Sequence, residues 1–184
     1  LPELPYKRLE RYINEYKLSE VDAKILINQK IVSDFYDNAL KVYNNPSSIA
    51  NFIIVELLRR VNLGEIDLEK LSFTPEQFAN LIEMADTEKI SKNDAKAVFR
   101  TLVETGKNPE DIAKEQGLLI VNDLSKVDEV ISQVLKDNQK IVDQYIGGDV
   151  KVVGFLMGQC TKSLKGVCTP KVIKEVLENK LKSL

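Results

Sequence analysis

Residues 73–106 read FTPEQFANLIEMADTEKISKNDAKAVFRTLVETG, and they contain the clearest helix start and stop signals of the chain. Thr74 is followed by Pro75 and, three residues on, by Gln77, which is the pattern of a helical capping box. Phe73 and Phe78 stand where a hydrophobic staple places two apolar side chains. The apolar residues that follow recur at helical spacing, so a helix is predicted to begin at this point.

The same start and stop signals recur along the chain. Ser91 with Asp94 opens a second helix, and Gly106 is typical of a helix end. Working outward, further helix starts or helical stripes are predicted at Pro5, Ser19, Phe35, Pro46, Asn108-Pro109, Leu124, Asn138, Val150 and Thr169-Pro170. The sequence therefore predicts an all-α protein with about ten helices.

One apolar run, Gly117-Leu118-Leu119-Ile120-Val121, competes for a strand assignment. A single strand has no partner elsewhere in this sequence, so we interpret the run as an extended connector. It is also the best candidate for a boundary between two consecutive helical subdomains, which are predicted to meet near residues 118–122.

The segment after residue 149 is the most distinctive part of the chain. Gly154 and Gly158 lie four residues apart inside a predicted helix, where each glycine costs about 1 kcal/mol relative to alanine. The usual reason for such glycines is close approach of another backbone. The face predicted to be buried consists of Val150, Val153, Met157, Cys160 and Leu164. In the final helix it consists of Val172, Ile173, Val176, Leu177, Leu181 and Leu184.

Composition excludes most catalytic chemistry. The chain has no histidine, which removes the commonest general base, the Ser–His and Cys–His pairs and most zinc sites. No Gly-rich phosphate loop occurs. Cys160 and Cys168 lack further metal-ligating partners, and the carboxylates are interpreted as a solvated surface. We expect no catalytic residue, no metal and no cofactor in this chain, which leaves a small enzyme on a helical scaffold as the weakest hypothesis.

The net charge of −2 hides a gradient. Residues 64–137 carry 9 basic and 16 acidic side chains, a net charge of −7, whereas residues 148–184 carry 7 basic and 3 acidic, a net charge of +4. The basic cluster is either a solvated face or a phosphate-binding surface, helped by the amides around Gly166 and the start of the last helix. Its members are Lys151, Lys162, Lys165, Lys171 and Lys174.

No apolar run approaches the ~20 residues that a membrane helix needs. The chain opens Leu1-Pro2-Glu3-Leu4-Pro5 without Met or a charged-then-apolar leader. This start predicts a piece of a longer chain, with N-terminal processing as the alternative, and a cytoplasmic location without membrane contact.

Several segments, in order, resemble the C-terminal helical and tail region of the B subunit of the tRNA-dependent amidotransferases. These enzymes convert Glu-tRNA(Gln) to Gln-tRNA(Gln), or Asp-tRNA(Asn) to Asn-tRNA(Asn). The archaeal-type E subunit has a similar tail. The resemblance covers the whole chain, with Lys17, Phe52 and Val167 departing from the usual residues. The matching segments are LPELP (1–5), LSEVDA (18–23), ANFI (50–53), ISKNDAKAVF (90–99), YIGG (145–148) and FLMGQ (155–159) through Lys165-Gly166, the last resembling the family's YqeY-like tail.

The resemblance implies a division of labour. In such enzymes the misacylated tRNA is activated with ATP and Mg²⁺ by a cradle domain of the B subunit, whereas the amidase subunit supplies ammonia from glutamine. The helical and tail domains hold the tRNA body at its outer corner, near the D-loop. The domains implied here are connecting helices over 1–34, a helical subdomain over 35–120 and a YqeY-like subdomain over 121–184. Nothing matches the cradle, so ATP and Mg²⁺ belong to the absent part.

The leading hypothesis is therefore a non-catalytic tRNA-binding part of this ligase. Its partners would be tRNA(Gln) or tRNA(Asn), with the amidase (A) and C subunits joined through the cradle, and the chain itself would be monomeric. The alternative is a protein-interaction module, either a stand-alone YqeY-like protein or a tail that docks only onto its own enzyme. The candidate tRNA-binding residues are Lys151, Gln159, Lys162, Lys165, Gly166, Lys171 and Lys174.

Overall fold

The computed structural model describes residues 1–184 and contains helices, turns and connecting segments without any strand. It divides into two units, Leu1–Leu118 (the N-terminal unit) and Leu119–Leu184 (the C-terminal unit). The apolar run Leu118–Val121 forms neither strand nor helix. The predicted all-α class, with about ten helices, is confirmed.

The N-terminal unit contains helices α1 to α8. Their bounds are α1 Pro5–Asn14, α2 Glu20–Ile27, α3 Lys30–Val42, α4 Pro46–Phe52, α5 Leu58–Asn62, α6 Pro75–Asp86, α7 Lys92–Thr105 and α8 Pro109–Glu115. A π turn, Ile53–Leu57, joins α4 to α5 without a break, and Leu68–Lys70 forms a 3₁₀ turn. If Pro46–Asn62 is counted as one continuous helix, the chain has eleven α-helices.

The predicted caps form as hydrogen bonds. The Thr74 hydroxyl accepts from the backbone N–H of Gln77 at 3.1 Å, and the Gln77 side-chain oxygen accepts from the backbone N–H of Thr74 at 3.0 Å. The rings of Phe73 and Phe78 stack with centroids 6.1 Å apart, as the staple predicts. Gly106 has a φ of +66°, and a Cβ there would lie 2.5 Å from the carbonyl oxygen of Ser72, so only glycine fits.

An aromatic cluster fills the core of the N-terminal unit. Phe78 of α6 is fully buried, and its ring meets that of Phe35 of α3 edge-on, with centroids 5.1 Å apart. Edge-to-face contacts of this kind add to the free energy gained by burying apolar area. The remaining rings of the cluster are Phe52, Phe73 and Phe99.

Helix α1 is held on α3 by ion pairs. Arg11 contacts Asp37 at 2.9 Å and also pairs with Glu3, and Arg8 contacts Asp34 at 2.9 Å. The hydrogen bond from Arg11 holds the pKa of Glu3 at about 2, although partial burial opposes this.

The C-terminal unit contains four helices around its own core. These are α9 Leu124–Asp137, α10 Gln139–Ile146, α11 Val153–Ser163 and α12 Pro170–Lys182, with a 3₁₀ turn Val150–Val152 before α11. The core is built from Val127, Ile131, Val134, Val142, Leu156, Cys160, Leu164, Cys168, Ile173, Leu177 and Leu181.

Two residues predicted to face this core lie on the surface. Val150 is 68% exposed because it belongs to the 3₁₀ turn, where the helical register of α11 has not begun, and Leu156 joins the core instead. Leu184 is 66% exposed because it lies beyond the end of α12. Val150 lies before the start of α11 and Leu184 lies after the end of α12, so helical spacing does not apply to either residue.

Candidate nucleic-acid interface

Helix α11 has one buried face and one open face. Leu156, Cys160 and Leu164 are fully buried against the core of the C-terminal unit. Because a helix advances about 100° per residue, Phe155 and Lys162 lie on the opposite side. The residues that share this open face, all of them exposed, are Gly154, Phe155, Gly158 and Lys162, and Lys151 is exposed in the 3₁₀ turn that precedes them.

Gly154 and Gly158 are open to solvent. A Cβ built on either glycine meets no atom within 4 Å. No backbone of this chain therefore makes the close approach that the two glycines suggested. The core side chains of α11 all lie on the other face, so the partner helices pack there, and the glycines leave bare helix backbone at the surface.

The loop after α11 is held by a buried cap. Thr169 is 4% exposed; its hydroxyl accepts from the N–H of Val172 at 3.3 Å, and its own N–H donates to Asn122 Oδ1 at 3.1 Å. Gly166 has a φ of +77°, which glycine adopts without strain. Lys165 and Gly166 are exposed, so the loop presents one lysine directly beyond the end of α11.

The exposed face of α12 carries both signs of charge. Lys171, Lys174 and Lys182 share it with Glu175 and Glu178. Lys174 Nζ lies 4.0 Å from Glu178 Oε1. A surface with interspersed charges attracts phosphate less than one with lysines alone. Lys171 and Lys174 are thus placed beside carboxylates that would repel a nucleic-acid backbone.

The structure divides the predicted residues into three sets. Lys151, Lys162 and Lys165, with Gly166 directly after Lys165, lie along one side of α11 and beyond its two ends. The open face of α11 itself carries no acidic side chain, although the exposed Asp149 caps the turn that holds Lys151. Lys171 and Lys174 lie on the mixed face of α12. Gln159 is half-buried and lies roughly 100° around α11 from Gly158, so it flanks the open face.

One residue of this surface was missed from the sequence. Phe155 is 49% exposed and stands between the two glycines. Helical spacing could have found it, because Phe155 precedes Gly158 by three residues and Lys162 by seven. An exposed aromatic ring beside lysines is the combination that single-stranded RNA recognition uses, since a base stacks on the ring while cations contact phosphate. We call Lys151, Gly154, Phe155, Gly158, Lys162 and Lys165 the α11 surface.

No helix of the structure is both long and apolar enough to cross a lipid bilayer. Cysteine and carboxylate side chains form no group of three or more that could hold a metal ion.

Comparison with known proteins identifies related sequences over the whole chain. Residues 34–181 match the family model described as the GatB domain. The chain is 40% identical, over all of its 184 residues, to the B subunit of the aspartyl/glutamyl-tRNA(Asn/Gln) amidotransferase of Ruminiclostridium cellulolyticum, and covers 38% of that protein. It is 36% identical over 181 residues to the protein of the same name from Thermotoga maritima, covering 98% of this chain and 38% of the relative. The chain thus spans a little over a third of the length of these curated relatives.

Proposed function

The chain belongs to the GatB domain family, and from this membership we propose that it is a tRNA-binding part of the B subunit of a tRNA-dependent amidotransferase. It contacts the tRNA body, at the outer corner on the D-loop side, so that the misacylated acceptor end reaches the catalytic cradle. The name of the relatives, which specifies Asp/Glu-tRNA, supports this substrate class.

The open face of α11 is the observation that carries the proposal. A glycine inside a helix lowers its stability by about 1 kcal/mol relative to alanine. Gly158 lies inside α11 and Gly154 in its first turn, and no contact within this chain accounts for either. A partner that must approach the helix backbone closely would account for them. Lysines at both ends of the same face suit a polyanionic partner.

The proposal divides the chemistry between chains and domains. ATP and Mg²⁺ serve the cradle, which activates the ester-linked carboxyl group, while the amidase subunit supplies ammonia. The amidase (A) and C subunits join through the cradle, in the cytoplasm. This chain holds no cofactor under the proposal, and its contribution is binding energy remote from the reacting ester.

A second candidate function is docking onto another protein, and the surface of α2 favours it. Val21 is 68% exposed and Ile25 is 36% exposed, although α2 also buries Ala23 and Leu26. A helix that is apolar on both sides usually has a partner on each side. Ile31 and Leu63 are further exposed apolar side chains of the N-terminal unit.

Two triple variants with equal charge loss test the proposal. Lys151, Lys162 and Lys165 are replaced by Ala in one, and Lys171, Lys174 and Lys182 in the other. The first should weaken tRNA binding and flatten its salt dependence by about 0.9 in the slope of log K for each lost phosphate contact. The second variant should change the tRNA affinity and its salt dependence less, because carboxylates share the exposed face of α12 with these lysines. Each affinity is measured at several salt concentrations.

Equal effects of the two variants would show that only net charge matters. If neither variant changes affinity or slope while circular dichroism shows intact helices, tRNA binding by the α11 surface is wrong. The protein-docking function then becomes the better assignment.

A further inference from the structure

A cavity of about 210 Å³ opens beside the π turn of the N-terminal unit. Pockets for drug-sized ligands are usually larger, roughly 300–1,000 Å³, so this one suits a single ring or side chain. Its apolar wall comes from Phe52, Val55, Ile82, Ala85 and Ala95, and its polar groups from Ser48, Asn51, Glu56, Asp86, Lys92 and Lys96. π turns inside α-helices occur frequently at functional sites.

Glu56 gives this cavity its chemistry. Its side chain lies in the π turn and is only 7% exposed. The nearest cations are Lys96 Nζ at 3.7 Å and an Arg59 guanidinium nitrogen at 3.8 Å. Both distances are too long for hydrogen bonds, so these cations balance the charge and leave the carboxylate oxygens to water or to a ligand. A buried carboxylate in this condition gains strongly from a ligand that donates N–H groups.

The other carboxylate of the cavity is already engaged. Asp86 Oδ2 accepts from the Tyr43 hydroxyl at 3.0 Å and from Asn45 Nδ2 at 3.2 Å. Glu56, unlike Asp86, accepts no side-chain hydrogen bond and is therefore the carboxylate available to a ligand.

The charges around the cavity favour a ligand with an uncharged hydrogen-bond donor that is attached to an anionic group. Lys92 and Lys96 line the cavity and Arg59 lies beside Glu56, so three cations face two carboxylates before any ligand enters. A guanidinium or ammonium group would add a fourth cation. A nucleobase adds none, and its phosphate would meet the two lysines. Charges elsewhere in the N-terminal unit are screened over about 8 Å at physiological salt.

We propose that this cavity binds an unstacked guanine of an RNA strand. Glu56 accepts from N1–H and N2–H, two adjacent donors that adenine, cytosine and uracil do not present together. The half-buried ring of Phe52 and the exposed side chain of Val55 contact the base, and Lys92 and Lys96 contact its phosphate. The inference rests on the proposed tRNA function and adds a base-selective site to it, distant in sequence from the α11 surface.

Nucleotide titrations of the full 184-residue chain test this site directly. GMP, IMP and AMP are added to ¹⁵N-labelled protein, and the amide signals of Asn51, Val55, Ala95 and Lys96 are followed. GMP should bind saturably at these residues. IMP, which lacks the N2 donor, should bind roughly ten-fold more weakly, the loss expected for one hydrogen bond to a charged acceptor. AMP should bind more weakly still.

Variants separate the base contact from the phosphate contact. Glu56→Gln keeps the size of the side chain and should remove the preference for GMP over IMP. Glu104→Gln, an exposed carboxylate on α7, is the matched control and should leave the preference unchanged. Lys92→Ala should reduce the advantage of GMP over guanosine, with Lys96 keeping part of it, and should leave guanosine binding unchanged.

The outcomes distinguish this site from the proposed function. Equal binding of GMP, IMP and AMP by the wild-type chain, or an unchanged preference in Glu56→Gln, overturns the guanine site even where tRNA still binds through the α11 surface. Saturable binding of N-acetyl-arginine amide at the same amides, with none of GMP, also overturns it and assigns the cavity to a protein side chain. The wild-type nucleotide series decides the matter even if Glu56→Gln fails to fold.

Discussion

A few single residues of this chain are unfavourable for the stability of the chain itself. Gly154 and Gly158 weaken α11 without any contact in return, and Phe155 exposes half of its ring between them. Glu56 shows the opposite arrangement, a charged side chain that is buried beside a cavity. Natural sequences depart from local preference mainly at functional sites, so under the proposed function we expect these positions to contact a partner.

Replacing both glycines by alanine should stabilise the chain and weaken its tRNA binding. Nothing lies within 4 Å of either added methyl group, so the gain is that of helix propensity, up to about 2 kcal/mol for the pair. The two methyl groups would, however, hold a partner away from the helix backbone. Urea unfolding and tRNA affinity are both measured on Gly154→Ala/Gly158→Ala.

Ser163→Ala provides the control for the glycine pair. This substitution also favours the helix but leaves the open face of α11 unchanged. A double glycine variant that is more stable and binds tRNA as tightly as the wild type would contradict the requirement for close approach.

The two cysteines should resist thiol reagents in the folded chain. Burial raises the pKa of Cys160 to about 11 and also raises the pKa of Cys168. Since the thiolate is the reactive form, alkylation by iodoacetamide at pH 8 should be slow until urea unfolds the protein. Mass spectrometry counts the modified thiols. Rapid labelling of either cysteine without denaturant would show that the core of the C-terminal unit opens readily.

At the scale of elements, the chain uses polar contacts to attach one helix to another. Helix α1 buries only Tyr12, so α1 depends on the ion pairs that Arg8 and Arg11 make with Asp34 and Asp37 of α3. The Tyr12 hydroxyl donates to Asp37 Oδ1 at 3.0 Å in the same cluster. Lys180 of α12 reaches Asp128 of α9 at 2.8 Å in a similar way.

The contribution of Glu3 to this attachment should vanish in acid. Hydrogen bonding from Arg11 holds the pKa of Glu3 at about 2, below the ordinary value of 4.5. A folded-state pKa below the unfolded one stabilises the protein fully above pH 4.5, and this stabilisation is lost as the pH falls toward 2. Glu3→Gln should therefore unfold at lower urea than the wild type at pH 7.

The expected difference for Glu3→Gln is below about 1 kcal/mol, because Glu3 is partly exposed and water screens the pair. Urea titrations at pH 7, 4, 3 and 2 follow it. The control is Glu10→Gln, an exposed carboxylate of α1, the helix that follows Glu3. A Glu3→Gln difference that persists unchanged at pH 2 would contradict the assigned pKa.

At the scale of the whole molecule, the charges are segregated along the chain. Residues 64–137 carry a net charge of −7 and residues 148–184 a net charge of +4. A polyanion is thus attracted by a small part of the sequence and repelled by a larger part. The α11 surface contributes three lysines, which limits the number of phosphates that this surface can neutralise.

The affinity of the whole chain for tRNA should fall only moderately with salt. Three phosphate contacts predict a slope of log K against log salt of about −2.7, from roughly −0.9 for each contact. Filter binding or anisotropy between 50 and 200 mM salt measures the slope. A slope twice as steep would require further cationic groups in the interface, while a slope near zero would exclude phosphate contacts by the α11 surface.

The chain alone should show no ATPase, glutaminase or amidation activity. The proposal assigns ATP-dependent activation to the cradle and ammonia release to the amidase subunit, and histidine is absent from this sequence. Purified chain is assayed with ATP, glutamine and misacylated tRNA, and protein from a mock purification serves as the control. Turnover above that control would refute the division of labour.

Caps and apolar spacing determined the helices from the sequence alone. The Thr74–Gln77 capping box, the Ser91 cap and the Gly106 end are short-range signals, because each involves backbone groups within a few residues. Such signals act before any tertiary contact forms, so the all-α class follows from them. Charge counting also identified the basic C-terminal segment.

Only the tertiary structure decided which helix faces are covered. Two glycines at helical spacing suggested that another backbone approaches Gly154 and Gly158, whereas within this chain the core lies against Leu156 and Cys160. In the same way, a carboxylate at position 56 reads as a surface residue until the π turn and α7 enclose it. The reason is that burial depends on how elements far apart in the sequence pack together. The periodicity of apolar residues within one helix does not encode that packing.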